Sequence, residues 1–375
     1  MHQGRPTWAE IDLDAVAHNI RELQEALHGP ARLMPVIKAN AYGHGHIEVA
    51  RVCLGQGIED LGVAILEEAL QLRESGINKA RILILGYTQE EAVEQAISHD
   101  VRLTVYNYRG AEIISRAACE SGQTAYIHLK IDTGMGRLGF TPDEKSLAVM
   151  EDIFRLPGIE VEGAFTHFAS ADAADQSYTE WQLSRFINFT GQLERKGFHI
   201  PLKHAANSAA LLSMPASHLN LVRAGIAVYG LSPTDDESGS SPIHLIPAMR
   251  LLSRVVMLKE LPPGQAVSYG CTYVTSRNTR VATVPIGYAD GYTRLLSNKA
   301  WAVINGYRVP LIGRVCMDQC MFDVTGVPDV KEGDEVILFG RPEDGVTADD
   351  LAGILGTINY EIVCMIGARV PRIYR

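Results

Sequence analysis

The residues best suited to chemistry stand in one decapeptide, Val36-Ile37-Lys38-Ala39-Asn40-Ala41-Tyr42-Gly43-His44-Gly45. Positions 33–37 are apolar and read as a short buried strand. Lys38 closes it, a turn with two glycines follows, and a helical pattern begins near Ile47. α/β folds keep their sites at the carboxyl ends of strands. An amine there can form a Schiff base with a carbonyl, pyridoxal 5'-phosphate (PLP) being the usual partner. Tyr42, four residues on, offers a hydroxyl to a phosphate. The competing reading is a strand-end lysine reaching for water.

Further groups recur at strand ends. Lys130 to Gly139 contains Gly134-Met135-Gly136-Arg137-Leu138-Gly139, a G-x-G-x-x-G pattern. It follows a fifth strand, not a first, and lacks the acidic residue a dinucleotide site needs. It reads better as a turn that carries Arg137 into a pocket, where a guanidinium holds a carboxylate by two hydrogen bonds. Lys130 repels Arg137, so something anionic is expected between them. His167 ends a sixth strand, Asn207 and Ser208 follow a seventh, and Arg223, Gly225 and Ile226 an eighth. Barrels often hold phosphate in the loops after strands seven and eight, which makes Ser208, Gly225 and Ile226 candidate contacts. Further on, Tyr269 and Tyr288 stand beside glycines, and Met317-Asp318 opens a strand; nothing local marks these as functional.

The elements that position these residues alternate. Apolar strands are predicted at 33–37, 61–65, 81–86, 101–105, 125–131, 161–167, 201–206 and 220–224. Helical patterns lie between most of them, at 47–56, 67–75, 89–98, 109–121, 143–154 and 178–197. Asp14 looks like the N-cap of a helix running to about His28. Eight strands alternating with helices point to a (β/α)8 barrel, over the competing doubly wound sheet. A polar, turn-rich stretch at 232–242 precedes β-rich sequence with a strong hairpin turn at Asn305-Gly306. The expected organisation is a barrel domain over 13–240 and a mainly β domain over 241–375, joined by the N-terminal strand at 7–12.

The 375 residues carry a formal net charge of −10, with 46% hydrophobic and 21% charged residues. That balance speaks against nucleic acid or an anionic membrane as partner. No run of 18 apolar residues and no secretory leader pattern is present. Six scattered cysteines without C-x-x-C fit a reducing cytoplasm and give no metal site.

Taken in order, the decapeptide, Lys130–Gly139, Thr166-His167-Phe168, Ala206-Asn207-Ser208, Val222-Arg223-Ala224-Gly225-Ile226, Ser268-Tyr269-Gly270, Ile286 to Gly291 and Gly313 to Asp318 span nearly the whole chain. In these stretches it resembles alanine racemase, a PLP-dependent family with a (β/α)8 barrel and a C-terminal β domain. The resemblance implies interconversion of L- and D-alanine, supplying D-alanine for peptidoglycan. It implies that Lys38 carries PLP and is one catalytic base, with Tyr269 the opposing base. Arg223 would face the pyridine nitrogen, with His167 beside it. Tyr42, Ser208, Gly225, Ile226 and Tyr360 would hold the phosphate, with Asn207 nearby. Arg137 and the Met317 backbone would meet the substrate carboxylate, with Asp318 supporting. Lys130 would be carbamylated, and Tyr288 would line the entrance with Tyr360. The family is a head-to-tail homodimer in which Tyr269, Tyr288 and Met317 cross to the partner's barrel.

These roles make physical sense. A tyrosine titrates near ~10, so a cationic neighbourhood, Arg223 acting through His167, must favour its phenolate. An arginine facing the pyridine nitrogen leaves it unprotonated and favours return of the proton over transamination. A racemase for serine or of broad specificity would use the same core. A decarboxylase of this architecture generally pairs the pyridine nitrogen with a carboxylate, which Arg223 contradicts. A non-catalytic PLP carrier would lack the β domain. A Rossmann dehydrogenase would rest on the 134–139 glycines alone.

Overall fold

The computed structural model describes residues 5–234 and 243–375. Most of the stretch read as a linker, 235–242, and the expected boundary at 240/241 lie outside the described residues. The chain divides into two compact units.

The first unit is Val16–Ala41 with His46–Leu245. Its strands, numbered after the N-terminal strand β1 (Thr7–Ile11), are β2 (Arg32–Pro35), β3 (Asp60–Val63), β4 (Arg81–Ile84), β5 (Val101–Val105), β6 (Ala125–Lys130), β7 (Ile159–Phe165), β8 (Leu202–His204) and β9 (Leu221–Ala224). Strands β3 to β8 pair in parallel in sequence order, and β2 pairs in parallel with β9. The ring closes at two seams. Val36 bridges Gly62 and Ile37 N–H donates to Gly62 at 2.8 Å, while Arg223 N–H donates to the Ala206 carbonyl at 3.1 Å. The eight strands β2 to β9 are thus a (β/α)8 barrel. Strands buried on both faces read as continuous apolar runs, which is why β3 and β5 are buried along their whole length.

Helices occupy the predicted positions, for example His46–Gly55, Tyr108–Ser121 and Ser177–Arg195. A short helix, Ser208–Ser213, and a 3₁₀ turn, Ile226–Tyr229, follow β8 and β9. The first helix starts two residues earlier than the Asp14 reading requires. It spans Leu13–Glu25, and Asp12 is the cap, its carboxylate accepting the Ala15 N–H at 2.8 Å.

The second unit comprises the described part of Met1–Ala15 with Tyr42–Gly45 and Ile246–Arg375. Its largest sheet has six strands in the order Tyr307–Pro310, Trp301–Ile304, Glu335–Phe339, Met249–Arg254, β1 and Arg372–Tyr374. Strand β1 runs antiparallel to Met249–Arg254 and parallel to Arg372–Tyr374. A three-stranded sheet of Met257–Leu261, Thr279–Val284 and Cys320–Asp323 and a short hairpin complete the mainly β unit. Two short helices, Ala348–Leu355 and Asn359–Cys364, lie near its end; the second and the strand Arg372–Tyr374 were not apparent in the sequence. Among the described residues no helix is long and apolar enough to cross a membrane.

Candidate active site

Lys38 follows the first barrel strand, as expected, but the turn after it is unusual. Ala39, Asn40, Ala41 and Tyr42 all adopt left-handed backbone, with φ of 52°, 55°, 53° and 51°. Each non-glycine residue there costs about 1–2 kcal/mol, so the turn holds several kcal/mol of strain. It is over-determined by its neighbours. Glu68 accepts the Ala39 N–H at 2.6 Å and the Ala64 N–H at 2.8 Å. The Asn40 side-chain oxygen accepts from the His46 backbone N–H at 3.1 Å and lies 2.9 Å from His46 Nδ1. A strained turn held this firmly directly after a lysine is what fixing one amine requires.

The other barrel residues gather at the same ends of the strands. Arg223 is 3% exposed. Its Nη2 donates to the carbonyls of Thr166 (2.7 Å) and Ala205 (2.8 Å) and lies 3.4 Å from His167 Nδ1. Its Nη1 donates to His204 Nδ1 at 3.0 Å. Burial, with help from Arg137, draws it down to about 9, well below a free arginine but still cationic at neutral pH. His167 is held neutral, first by burial and then by Arg223, Lys130, Arg137 and Lys38.

Lys130 ends β6 and is 4% exposed. Its Nζ has no hydrogen-bond partner among the described residues and sits 4.6 Å above the Phe165 ring centre. Burial, then Arg223 and Arg137, push its ammonium far below the usual lysine range, against a weaker opposing pull from Asp132. A neutral buried amine is a nucleophile.

The glycine-rich loop contains a device the sequence reading missed. The Asp132 carboxylate accepts the N–H groups of Gly134 (3.0 Å), Met135 (2.8 Å), Gly136 (3.1 Å) and Arg137 (3.1 Å). Burial works against its charge, yet these bonds keep it below the usual carboxylate range. The helix Ser177–Arg195 ties the loop down: Tyr178 donates to the Gly134 carbonyl and Arg185 to that of Thr133. Gln182 joins this loop to the next, donating to Thr133 Oγ1 and the His167 carbonyl. The next helix begins only at Glu144, so the glycines do not cradle a nucleotide at a helix start.

After β8 and β9, Ser208 Oγ accepts the Gly225 N–H at 2.8 Å, and the Asn207 side chain caps its helix by accepting from Ala210. Ser208 and the start of the Ile226–Tyr229 turn are therefore adjacent. Elsewhere in the barrel, polar side chains stand at alternate positions on the strands, Arg102 and Thr104 on β5 and His128 and Lys130 on β6, all buried. Spacing by two puts each pair on one face of its strand. Of these only Lys130 was singled out from the sequence; Arg102, Thr104 and His128, with His204 and Glu162, were missed, and the alternation inside otherwise apolar runs was the available signal.

The second unit carries its own group. Tyr269 is 68% exposed, Met317 52% and Tyr288 43%. Tyr288 N–H donates to the Cys316 carbonyl, and Ala289 N–H to that of Met317, so the segments bearing Tyr288 and Met317 are joined. Asp318 pairs with Arg369, which also binds the fully buried Asp290. Ser268, before Tyr269, has φ 66° and ψ −176°, a conformation that is rare outside glycine, and its hydroxyl donates to the Arg314 carbonyl at 2.6 Å. Tyr42 and Tyr360 have ring centres 6.0 Å apart. Burial, with Tyr360 and Cys364 close by, raises the Tyr42 hydroxyl above its ordinary value, keeping it a neutral donor.

Comparison with known proteins gives one answer along the whole chain. The family model for the alanine racemase N-terminal domain matches residues 11–233, and that for the C-terminal domain 248–374. An alanine racemase of Clostridium perfringens is 50% identical over 373 residues, covering 99% of this chain and 96% of that one. One from Methanococcus maripaludis is 47% identical over 370 residues, 98% of each. Among solved structures, alanine racemase of Clostridium difficile 630 superposes with a TM-score of 0.94 at 43% identity, covering 99% of this chain and 96% of that one. That of Bacillus anthracis with bound L-Ala-P gives 0.93 at 38% identity, covering 100% of this chain and 96% of that one. With both family models matched and relatives near half identical from end to end, the chain belongs to the alanine racemase family.

Proposed function

We propose that this chain is a PLP-dependent alanine racemase, interconverting L- and D-alanine with Lys38 and Tyr269 as its two bases. The observation that carries the reading is the buried Arg223, flanked by a neutral His167, at the barrel end that bears Lys38. The residues suit the cofactor. Lys130 is a buried amine without a hydrogen-bond partner among the described residues, and four basic side chains act together on His167. Ser208 Oγ and the backbone at Gly225 and Ile226 form a compact polar corner. An anionic pyridine with a phosphate answers both features.

When bound, PLP supplies an electron sink for the charge that develops on Cα as its proton leaves. The chain's own residues do the rest. Lys38 holds the cofactor and exchanges the Cα proton on one face, and the phenolic oxygen of Tyr269 exchanges it on the other. Arg223 faces the pyridine nitrogen as a donor. Ser208, Gly225, Ile226, Tyr42 and Tyr360 bind the phosphate, with Asn207 holding the helix that bears Ser208. Arg137 holds the substrate carboxylate, helped by the Met317 N–H, whose carbonyl side is already taken by Ala289. Asp318 fixes that segment through Arg369, and Tyr288 narrows the entrance. Lys130 Nζ attacks the carbon of CO2 and loses a proton, giving a carbamate whose negative charge orients Arg137.

The working unit is a head-to-tail homodimer in which Tyr269, Tyr288 and Met317 complete the partner's site. Their exposure in the single chain supports this, since large side chains left open mark contact surfaces. Six free thiols fit a reducing cytoplasm. The test is an exchange assay in D2O with PLP and L-alanine, products resolved by chirality and L-serine run alongside. Loss of the Cα proton with D-alanine appearing, and serine much slower, is the expected result. Exchange without D-alanine would remove the two-base assignment, and no exchange with PLP bound would favour a carrier.

A further inference from the structure

We propose that His204, His128 and Glu162 are positioning residues for Arg223, forming a one-way hydrogen-bonded chain through the barrel interior that fixes which of its N–H groups face a ligand. The inference rests on the reading that Arg223 faces the pyridine nitrogen of PLP.

The direction of the chain follows from donor and acceptor identity. Arginine only donates. His204 Nδ1, 3.0 Å from Arg223 Nη1, must therefore accept, so its proton sits on Nε2. His204 Nε2 lies 2.8 Å from His128 Nδ1, which must accept in turn. The His128 proton then sits on Nε2, 3.3 Å from Glu162 Oε2. The carboxylate ends the chain and also accepts from Arg102 Nε at 3.3 Å. Both rings are neutral in this arrangement, and His204 is held so by burial and by Arg223. No carboxylate is among the hydrogen-bond or ion-pair partners of Arg223 in the described residues; along the chain its countercharge stands two imidazoles away.

Two further features are built around this chain. Gly163 stands beside the His128 ring, and a Cβ there would fall 2.5 Å from Nδ1, so the absence of a side chain admits the ring. Phe165 stacks on His204 with centres 4.8 Å apart and planes at 11°, fixing the plane of the ring. The consequence appears at Arg223. Both Nη2 hydrogens go to the carbonyls of Thr166 and Ala205, and one Nη1 hydrogen goes to His204. The N–H groups left to face a ligand are Nε and the second Nη1. Were the tautomers reversed, His204 would point an N–H at an N–H and displace the guanidinium.

The test uses the PLP-loaded enzyme labelled with 15N-histidine, with tautomers read from long-range 1H–15N correlations. Wild type is expected to carry protons on Nε2 of both His128 and His204. Glu162→Gln keeps an acceptor and retains those tautomers. Glu162→Leu leaves the His128 Nε2–H without an acceptor while Arg223 still sets the direction, so the tautomers are kept and the chain is expected to loosen its hold on the guanidinium. This variant should also raise pyruvate release relative to racemisation by about tenfold while the KM for alanine changes little. Opposite tautomers in the wild type would overturn the proposal, and this needs no variant to fold. So would an unchanged product ratio in Glu162→Leu. A wild type that does not racemise alanine at all would instead remove the functional reading.

Discussion

Glu68 grips the backbone N–H of Ala39 at 2.6 Å, one residue beyond the lysine proposed to carry the cofactor. The same carboxylate holds Ala64 at the end of β3, so the left-handed turn is tied to the next barrel strand. Glu68→Ala should cost about 2–3 kcal/mol, the worth of two bonds to a charged acceptor less what water recovers. Urea unfolding measures this. The variant should also bind PLP more weakly, read from the absorbance retained after dialysis.

Lys38→Ala and Tyr269→Phe should each abolish racemisation alone yet complement one another. If Tyr269 serves the partner's barrel, an equal mixture refolded together recovers about a quarter of wild-type activity, because half of randomly paired dimers hold one intact site. A mixture that stays inactive would place both bases in one chain.

The stability of the protein should fall in mild acid. His167 and His204 have folded pKa values below the ordinary ~6.5, chiefly through burial. The unfolded chain then binds protons that the folded one does not, so their contribution is complete above ~6.5 and is lost as pH drops toward the folded values. The slope is at most about 1.4 kcal/mol per pH unit for each histidine. Denaturant melts at pH 7.5 and 5.5 read it, and a flat profile would mean the rings take up protons as readily folded as unfolded.

Lys130 should take up CO2. Protein equilibrated with 13C-bicarbonate is expected to show one carbamate carbon signal that is absent in Lys130→Met. That variant should also need a higher concentration of alanine to saturate, because Arg137 loses its orienting partner.

Gly43→Ala should be strongly destabilising. Gly43 has φ 86°, and a Cβ there would meet the Val363 carbonyl oxygen at 2.4 Å, a backbone atom that cannot swing aside. A loss of about 2–4 kcal/mol is expected in thermal or urea unfolding.

The barrel was legible in the sequence because its parallel strands are enclosed on both faces and so print as apolar runs. Lys38, His167 and Arg223 could be singled out as candidates because they stand at or just beyond strand ends, and Arg137 and Ser208 because they lie in the segments that follow. The left-handed turn was not. Ala39, Asn40 and Ala41 carry no local mark of positive φ, and the conformation is imposed by Glu68 and His46, which are distant or follow it. The His204–His128–Glu162 chain was hidden for a related reason. Each member comes from a different strand, and only the curl of the sheet brings them together. The second unit was read in outline, but Arg372–Tyr374 is too short to signal a strand until β1 lies beside it.

That last pairing bears on how the chain is made. Strand β1 leaves the ribosome before the barrel, but its neighbours, Met249–Arg254 and Arg372–Tyr374, leave after the whole barrel sequence. At roughly 5–20 residues per second, β1 waits on the order of 20–70 s for its last neighbour. Its alternating apolar face is an aggregation hazard over that interval. Chains ending at residue 245 should therefore hold a barrel that resists protease while β1 remains cleavable, so the unit that holds β1 is the last to be finished.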